Sequence, residues 1–366
     1  MKTSERLLYN YCLKILLEIQ QRFNEVRLDD LLQKGAEDGS LRLHTIPKEL
    51  IKEKLIQDYD DLVVAITTFE KTGSFDYNAL EKTNLVAFVD HIDSSTRLTR
   101  FFEFLREKQS DGLHEGKFFQ TGSDRRKLQE IEQAWQDFAH TPARLTGPSC
   151  SITMVKKGHI LFSVMLNYIT QEIFSASESG VQYIALENLN EDDFKAGWTN
   201  FTFKKPEDSA LFVTYTDKVD YAEFLKENQL IGAELKTVAG WQAGPPRILY
   251  LSELNPGPIP GFILSNGERI GKWIGWLAFC KFSDKLMAYS EYPRTMFAKD
   301  DILVAPSPLY SILDTDDNGM VLNYQKLKHF IYHPSKYREM IMVTHKENQH
   351  ARVLIESVRS RVLLQR

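Results

Sequence analysis

With 366 residues, of which 43% are hydrophobic and 26% charged, the chain can bury a large core and is not a disordered protein. Its formal net charge of −5 argues against a dedicated nucleic-acid-binding protein, because such proteins present a basic surface to the phosphates. Cys12, Cys150 and Cys280 are far apart, which excludes a disulfide framework or a closely spaced zinc site and indicates a reducing compartment.

The first predicted element is a helix over residues 4–33, where apolar residues recur at helical spacing. Charged and amide side chains interrupt the apolar positions, so the segment lacks the hydrophobic core of a signal peptide. No run is long enough to span a bilayer. We therefore expect a cytoplasmic protein with no membrane contact.

A second helix is predicted with Pro47 in its first turn. Two short β-branched segments follow, residues 61–70 and 83–90, and each ends in an acid, Glu70 and Asp90. Both acids are therefore predicted at strand ends.

Helical periodicity returns over residues 105–140. A β-rich stretch with turns at Gly158 and Gly180 then predicts an antiparallel meander. The pattern changes again after this meander. We divide the chain into an N-terminal α+β half, residues 1–190, and a C-terminal α/β half, residues 191–366.

A later segment, "DTDDNG" (Asp314 to Gly319), matches the opening of a calcium-binding loop. Gln325 stands where a bidentate Glu would close the coordination sphere, and an amide cannot replace that ligand. We predict a hairpin with an Asn-Gly turn instead.

The segment "FVDHIDSSTRL" (Phe88 to Leu98) concentrates negative charge at the end of a predicted strand. Asp90 and Asp93, with Glu70 at the end of the neighbouring strand, can direct three hard oxygen ligands to one point. Mg²⁺ prefers such ligands, and Mn²⁺ accepts them. The sequence therefore predicts a divalent metal site.

A helix is predicted to start directly after these acids, so the backbone N–H groups of Ser94, Ser95 and Thr96 would face a phosphate held by the same metals. That combination predicts a phosphomonoesterase site. The simpler alternative is that Asp90 and Asp93 only end a strand and cap a helix.

"VDHIDSST" resembles the "D-P-I-D-G-T" signature of the inositol monophosphatase family, whose superfamily includes 3'(2'),5'-bisphosphate nucleotidases and fructose-1,6-bisphosphatases. Residues 151–188 are similar to that family's next segment in order and spacing. "GKWIGWLAFCKF" resembles the helix before its last metal ligand, and "ILDTDDNG" resembles the hairpin after it. The resemblance covers most of the chain and implies an α+β fold with α-β-α-β-α layers.

Residue by residue, the resemblance makes Glu70 a metal ligand that helps to orient the attacking water. Asp90 and Asp93 match the two metal-binding aspartates, and Ile92 would offer a backbone carbonyl to a metal. Ser95 would replace the threonine whose hydroxyl positions the nucleophile.

The family's final metal ligand belongs to a "W-D-x-A-A-G" motif that opens a helix. Here "AKDDILVAPS" offers Asp300 and Asp301 without the tryptophan. The apolar run that starts after Asp301 favours that residue, whereas a gapless comparison from Cys280 favours Asp300.

The chain also departs from the family pattern. His91 replaces the proline and Ser94 replaces the glycine of the signature, which adds bulk where a phosphate approaches the backbone. Only one acid remains in "TFEK", beside Lys71, so we expect weaker binding of an outer metal. A helical insertion at about residues 105–148 is long enough to cover the site.

The resemblance implies a magnesium-dependent, lithium-sensitive phosphatase that acts on a small phosphorylated metabolite by attack of a metal-activated water. An inositol phosphate, a 3'-phosphonucleotide and a sugar phosphate all suit such an enzyme, and family members often pair as homodimers. The alternative is a catalytically impaired pseudophosphatase that binds a phosphorylated ligand or a protein partner.

Overall fold

The fold is taken from a computed structural model. It describes residues 3–34, 41–58, 62–66, 85–109, 125–139, 142–206, 211–213, 235–237, 245–257, 259–266, 270–291, 313–316, 319–322 and 340–348.

The described residues before the first strand form three helices, α1 (Thr3–Glu25), α2 (Leu28–Leu31) and α3 (Arg42–Asp58). The single helix predicted over residues 4–33 is therefore wrong in its extent. Arg27 takes an extended backbone, with ψ 147°, and separates α2 from α1. Pro47 lies inside α3 rather than in its first turn, because the helix begins earlier.

One sheet carries the signature. Within the described residues it has seven strands in sequence order, in which β1 is parallel to β2 and every later pair is antiparallel. The predicted meander is confirmed as β3 to β6. The strands are β1 (Leu62–Ile66), β2 (Leu85–Asp93), β3 (Ser149–Lys156), β4 (His159–Asn167), β5 (Glu172–Ser177), β6 (Gly180–Ala185) and β7 (Thr199–Asn200).

Among the described residues between β2 and β3, in the region of the predicted insertion, there are three helices. They are α4 (Ser95–Gln109), α5 (Arg125–Ala139) and α6 (Ala143–Thr146). Helix α5 packs on α4 through edge-on contacts of Trp135 with Phe101 and Phe104, at centroid distances of 5.2 and 5.6 Å.

A second sheet has the strand order β11-β14-β10-β8-β9, and helix α7 packs against both sheets. Strands β12 and β13 pair as a separate hairpin, which confirms the hairpin predicted in place of a calcium loop. Gly319 is the first residue of β13 and pairs with Asp316, so the prediction was wrong in placing this glycine in the turn. These elements are α7 (Ile270–Phe282), β8 (Leu211–Val213), β9 (Leu235–Thr237), β10 (Phe262–Asn266), β11 (Leu286–Glu291), β12 (Leu313–Asp316), β13 (Gly319–Leu322) and β14 (Met340–His345). Two 3-10 helices, Leu186–Asn188 and Pro245–Leu251, complete the described elements.

Strand β2 is buried on both faces because a core lies on each side of the first sheet. Ala87 and Val89 belong to the core beneath α1, α3 and α4. Val86 and Phe88 belong to the core beneath α7. Alternate side chains of a strand point to opposite faces, so this apolar run holds the end of β2 firmly in place. None of the helices within the described ranges is both long and apolar enough to cross a membrane.

Candidate metal and phosphate site

The two signature aspartates lie at the C-terminal end of β2. Asp90 stands opposite Ser151 and Asp93 opposite Ser149, and the ladder shifts register between the two acids. Both aspartates are only 1% exposed. Two carboxylates buried this close to each other in sequence are stable as anions only with positive charge nearby. Their burial therefore suits a cation-binding role better than a purely capping one.

The turn after Asp93 uses an unusual backbone conformation. Ser94 has φ 63°, in the left-handed region that glycine adopts without a steric cost. Its carbonyl accepts hydrogen bonds from the N–H groups of Arg97 and Leu98, at 2.9 and 3.0 Å. Ser94 therefore caps α4. The signature that this segment resembles has a glycine at this position, which suits the left-handed backbone of the turn.

Ser95 and Thr96 form the exposed first turn of α4. The first N–H groups of a helix have no partner within the helix and carry partial positive charge. The position of the predicted phosphate-facing residues is therefore suited to an anion, and the Ser95 hydroxyl is accessible there.

His44 of α3 lies beside this first turn and was not predicted as a site residue. The Thr99 hydroxyl lies 3.4 Å from His44 Nε2 and donates to the Ser95 carbonyl at 3.1 Å. Burial lowers the pKa of His44, and a backbone hydrogen bond with Ser95 partly offsets that shift. His44 and Ser95 are 51 positions apart, so only the packing of α3 against α4 brings them together.

Tyr168 supports the other side of the signature. Its hydroxyl donates a hydrogen bond to the His91 carbonyl at 2.9 Å, and both groups are buried. Burial, the adjacent Cys150 and the Asp90 carboxylate raise the pKa of Tyr168. A neutral tyrosine therefore fixes the backbone between the two aspartates, next to Ile92.

Two buried arginines lie near the start of α4, and neither was predicted. Arg97 is 1% exposed and Arg247 is fully buried. Burial lowers the pKa of Arg97 to about 10; Tyr250 opposes that shift, and Arg247 and Arg100 add to it. The Arg97 guanidinium lies 5.9 Å from the Trp135 ring. Two buried cationic side chains therefore lie close enough for each to influence the other's charge.

Three predicted ligands, Glu70, Asp300 and Asp301, lie outside the described residues. Within the described part of the chain, no group of three or more His, Cys, Asp or Glu side chains is arranged to hold a metal ion. Asp90 and Asp93 supply the buried carboxylates that a hard divalent cation prefers. The donor chemistry therefore fits Mg²⁺ or Mn²⁺, with further ligands needed from elsewhere.

No family model matches this chain, and no curated relative matches it either. Solved structures do. Inositol monophosphatase-II from Staphylococcus aureus aligns with 98% of this chain and 97% of its own, at a TM-score of 0.53 and 11% identity. The same enzyme with bound inositol monophosphate has a TM-score of 0.53 at 10% identity, over the same shares of both chains. With bound 2'AMP the TM-score is 0.50 at 10% identity, over 97% and 99% of the two chains.

The chain has the fold of an inositol monophosphatase. The predicted fold class is therefore confirmed, and the likeness extends over nearly the whole chain rather than the signature alone. In this fold, Asp90 and Asp93 end the second strand of the first sheet and Ser95 begins the next helix.

Proposed function

We propose that the chain is a divalent-metal-dependent phosphomonoesterase of the inositol monophosphatase superfamily that acts on a small phosphorylated metabolite. One observation carries this proposal: two buried aspartates end β2 directly before a left-handed turn and the first turn of α4. A carboxylate pair next to a helix N-terminus combines a cation-binding group with an anion-binding group. A phosphate monoester bound through metal ions needs both.

Asp90, Asp93 and the Ile92 carbonyl would hold Mg²⁺ or Mn²⁺, together with Glu70 and one of the acids at 300 and 301. A bound divalent cation supplies the positive charge that lets a phosphate dianion approach these carboxylates and that lowers the pKa of a bound water.

The chain's own groups would orient the reaction. The N–H groups of Ser94, Ser95 and Thr96 would bind phosphate oxygens at the start of α4. The exposed Ser95 hydroxyl would hold the attacking water by a hydrogen bond, and Glu70 would accept its proton. The buried guanidinium of Arg97 would add positive potential behind the bound phosphate.

Phosphate release from a substrate panel tests the proposal. The panel contains inositol 1-phosphate, adenosine 3',5'-bisphosphate and fructose 1,6-bisphosphate, each assayed with Mg²⁺. We expect release from at least one substrate, loss of release with a chelator, and inhibition by lithium. The S. aureus structures with inositol monophosphate and 2'AMP support including both an inositol phosphate and a nucleotide.

If calorimetry detects metal binding but no substrate turns over, the enzyme proposal is wrong. The pseudophosphatase alternative would then describe the chain better. Substrate binding without release, measured on the same panel, would identify that case.

A further inference from the structure

A cavity of about 300 Å³ lies at the other end of the first sheet, between α1, the β5–β6 turn and the segment that carries Phe194 and Trp198. Glu172 is level with Asp93 across the sheet through Ser149 and Asn167. Strand β5 lies three strands from β2, roughly 14 Å at the usual strand spacing.

Along β5, the cavity is also displaced from the level of the signature. Ser177, which lines it, is five residues beyond Glu172, or roughly 17 Å at the usual rise per residue. The cavity is therefore separate from the candidate metal and phosphate site.

Two cations line this cavity. Arg6 extends from the N-terminal part of α1, and Lys195 comes from the segment that carries Phe194 and Trp198. Among the residues that the structure describes, neither side chain forms an ion pair or a hydrogen bond. Two unpaired cations that face one cavity attract an anion, because each gains a partner when the anion binds.

The aromatic walls of the cavity are held by specific contacts. The Tyr9 hydroxyl donates to Ser175 Oγ at 2.8 Å, and burial raises the pKa of Tyr9 to about 12. Its ring lies 6.5 Å from the Trp198 ring. Trp198 Nε1 donates to the Phe194 carbonyl at 2.8 Å, so the indole offers its apolar surface to a ligand.

The segment that carries Lys195 is also fixed. Its backbone N–H donates to Asp193 Oδ1 at 3.1 Å. Gly197 has φ 81°, and a Cβ at that position would lie only 3.3 Å from Ile184 Cδ1. The close approach of Gly197 to β6 therefore sets where Lys195 and Trp198 stand.

Polar groups complete the lining. Asn10 extends from α1, one turn beyond Arg6, and Ser177 and Ser179 come from the β5–β6 turn. The buried Ser177 hydroxyl accepts the Ser179 N–H at 3.3 Å. Gln182 donates to Asn200 at 2.7 Å. Amide and hydroxyl groups around an aromatic wall can bind the hydroxyls of a ring-bearing ligand.

We propose that this cavity is a second ligand site, which binds a small organic anion that carries a flat ring. The anionic group lies between Arg6 and Lys195, and the ring packs against Trp198. The volume is at the lower end of small-molecule sites, which run from roughly 300 Å³ upward. The anion here is bound by cationic side chains directly, so binding requires no metal.

Calorimetry of the full chain in EDTA tests this proposal with three probes. Adenosine 5'-monophosphate carries both the ring and the anion, adenosine lacks the anion, and inorganic phosphate lacks the ring. We expect saturable binding of the monophosphate and weaker binding of the other two. Chelation removes the metals on which phosphate binding at the signature would depend, so failure of the proposed phosphatase activity leaves this result unaffected.

Arg6→Gln and Lys195→Gln should each weaken binding of the monophosphate by roughly tenfold or more, as expected for loss of a charge-assisted hydrogen bond. Lys204→Gln is the matched control, because it removes one exposed cation from outside the cavity. Lys195 is exposed, so its variant tests the site even if Arg6→Gln disturbs α1.

The proposal is overturned if the monophosphate does not bind saturably or if neither variant weakens it more than the control does. Adenosine binding as tight as that of the monophosphate would remove the role of the two cations. Phosphate binding as tight as that of the monophosphate would remove the role of the ring.

Discussion

Two of the turns at the edges of the first sheet that contain a left-handed residue use different residue types for it. At the β5–β6 turn, Gly180 has φ 96°, and a Cβ there would meet nothing within 4 Å. At the signature, Ser94 adopts φ 63° with a side chain present. Glycine avoids the steric cost at the β5–β6 turn, whereas Ser94 carries that cost beside the buried aspartates. Lys157 and Gln171 also have a left-handed backbone, in the β3–β4 and β4–β5 turns, so what distinguishes Ser94 is its place next to Asp93.

The largest expected effect comes from the charges next to the signature turn. Asp93→Asn keeps the shape of the side chain but removes a buried carboxylate, so we expect phosphate release to fall by roughly 100-fold or more. Asp284→Asn is the control, since Asp284 is exposed. Initial rates with Mg²⁺ measure both variants. Equal activity of Asp93→Asn and the parent chain would place the metal site elsewhere.

Helix α4, which begins directly after the signature, is supported by Trp135 of α5. Trp135 is 1% exposed and packs on Phe101 and Phe104 of α4. Trp135→Ala should therefore lower the free energy of unfolding by about 3–5 kcal/mol. Phe138→Ala, on the same helix at a residue 57% exposed, should cost about 1 kcal/mol or less. Denaturant unfolding compares them, and equal losses would show that Trp135 does not anchor α5.

Reciprocal substitutions test the two turns directly. Gly180→Ser should destabilise the fold by about 1 kcal/mol through backbone strain alone, since space is available. Ser94→Gly should stabilise it by up to about 1 kcal/mol and raise phosphatase activity by opening the phosphate loop. Thermal unfolding and rate measurements separate these two effects.

Lys157→Gly provides the control for this pair. Lys157 also has a left-handed backbone, with φ 50°, in the exposed β3–β4 turn. It should gain stability as Ser94→Gly does but leave activity unchanged. A rise in activity in Lys157→Gly would mean that strain relief, rather than access to the loop, causes the effect.

The smallest expected effect concerns pH. Burial lowers the folded-state pKa of His44, so the unfolded chain takes up a proton first as the pH falls below about 6.5. The free energy of unfolding is therefore unaffected by protonation of His44 above about pH 6.5 and falls as the pH drops below that value. It stops falling below the folded-state pKa of His44. His44→Gln should show a shallower loss of stability between pH 7 and pH 5 than the parent chain. An identical slope would contradict the pKa shift.

The elements most readily predicted were those with a strong local signal. Gly158 and Gly180 marked the turns of the meander, and a turn residue acts within a few positions of itself. Asp90 directly follows the apolar run of β2, so the end of a strand was visible there, although β2 continues for three residues to Asp93. The separation of α2 from α1 was missed because Arg27 is a residue type that suits a helix, so nothing in the sequence indicated its extended backbone.

Residues of the site that come from distant parts of the chain could not be predicted in the same way. Arg97 and Arg247 are 150 positions apart and influence each other only after folding. His44 reaches the signature turn only because α3 packs near α4. Pairs of distant residues leave no recognisable pattern in the sequence, whereas a signature of adjacent residues can be recognised from its spacing.

The burial of β2 on both faces also determines which opening motions of the fold expose its backbone. Backbone amides that pair within a sheet and lie between two cores exchange with solvent mainly when the whole fold opens. Asp90 and Asp93 are carried on such a strand, paired to β3 along its length, whereas Arg6 and Asn10 extend from a helix at the edge of the same core. Local openings that free the start of α1 would therefore leave the spacing of the two aspartates intact.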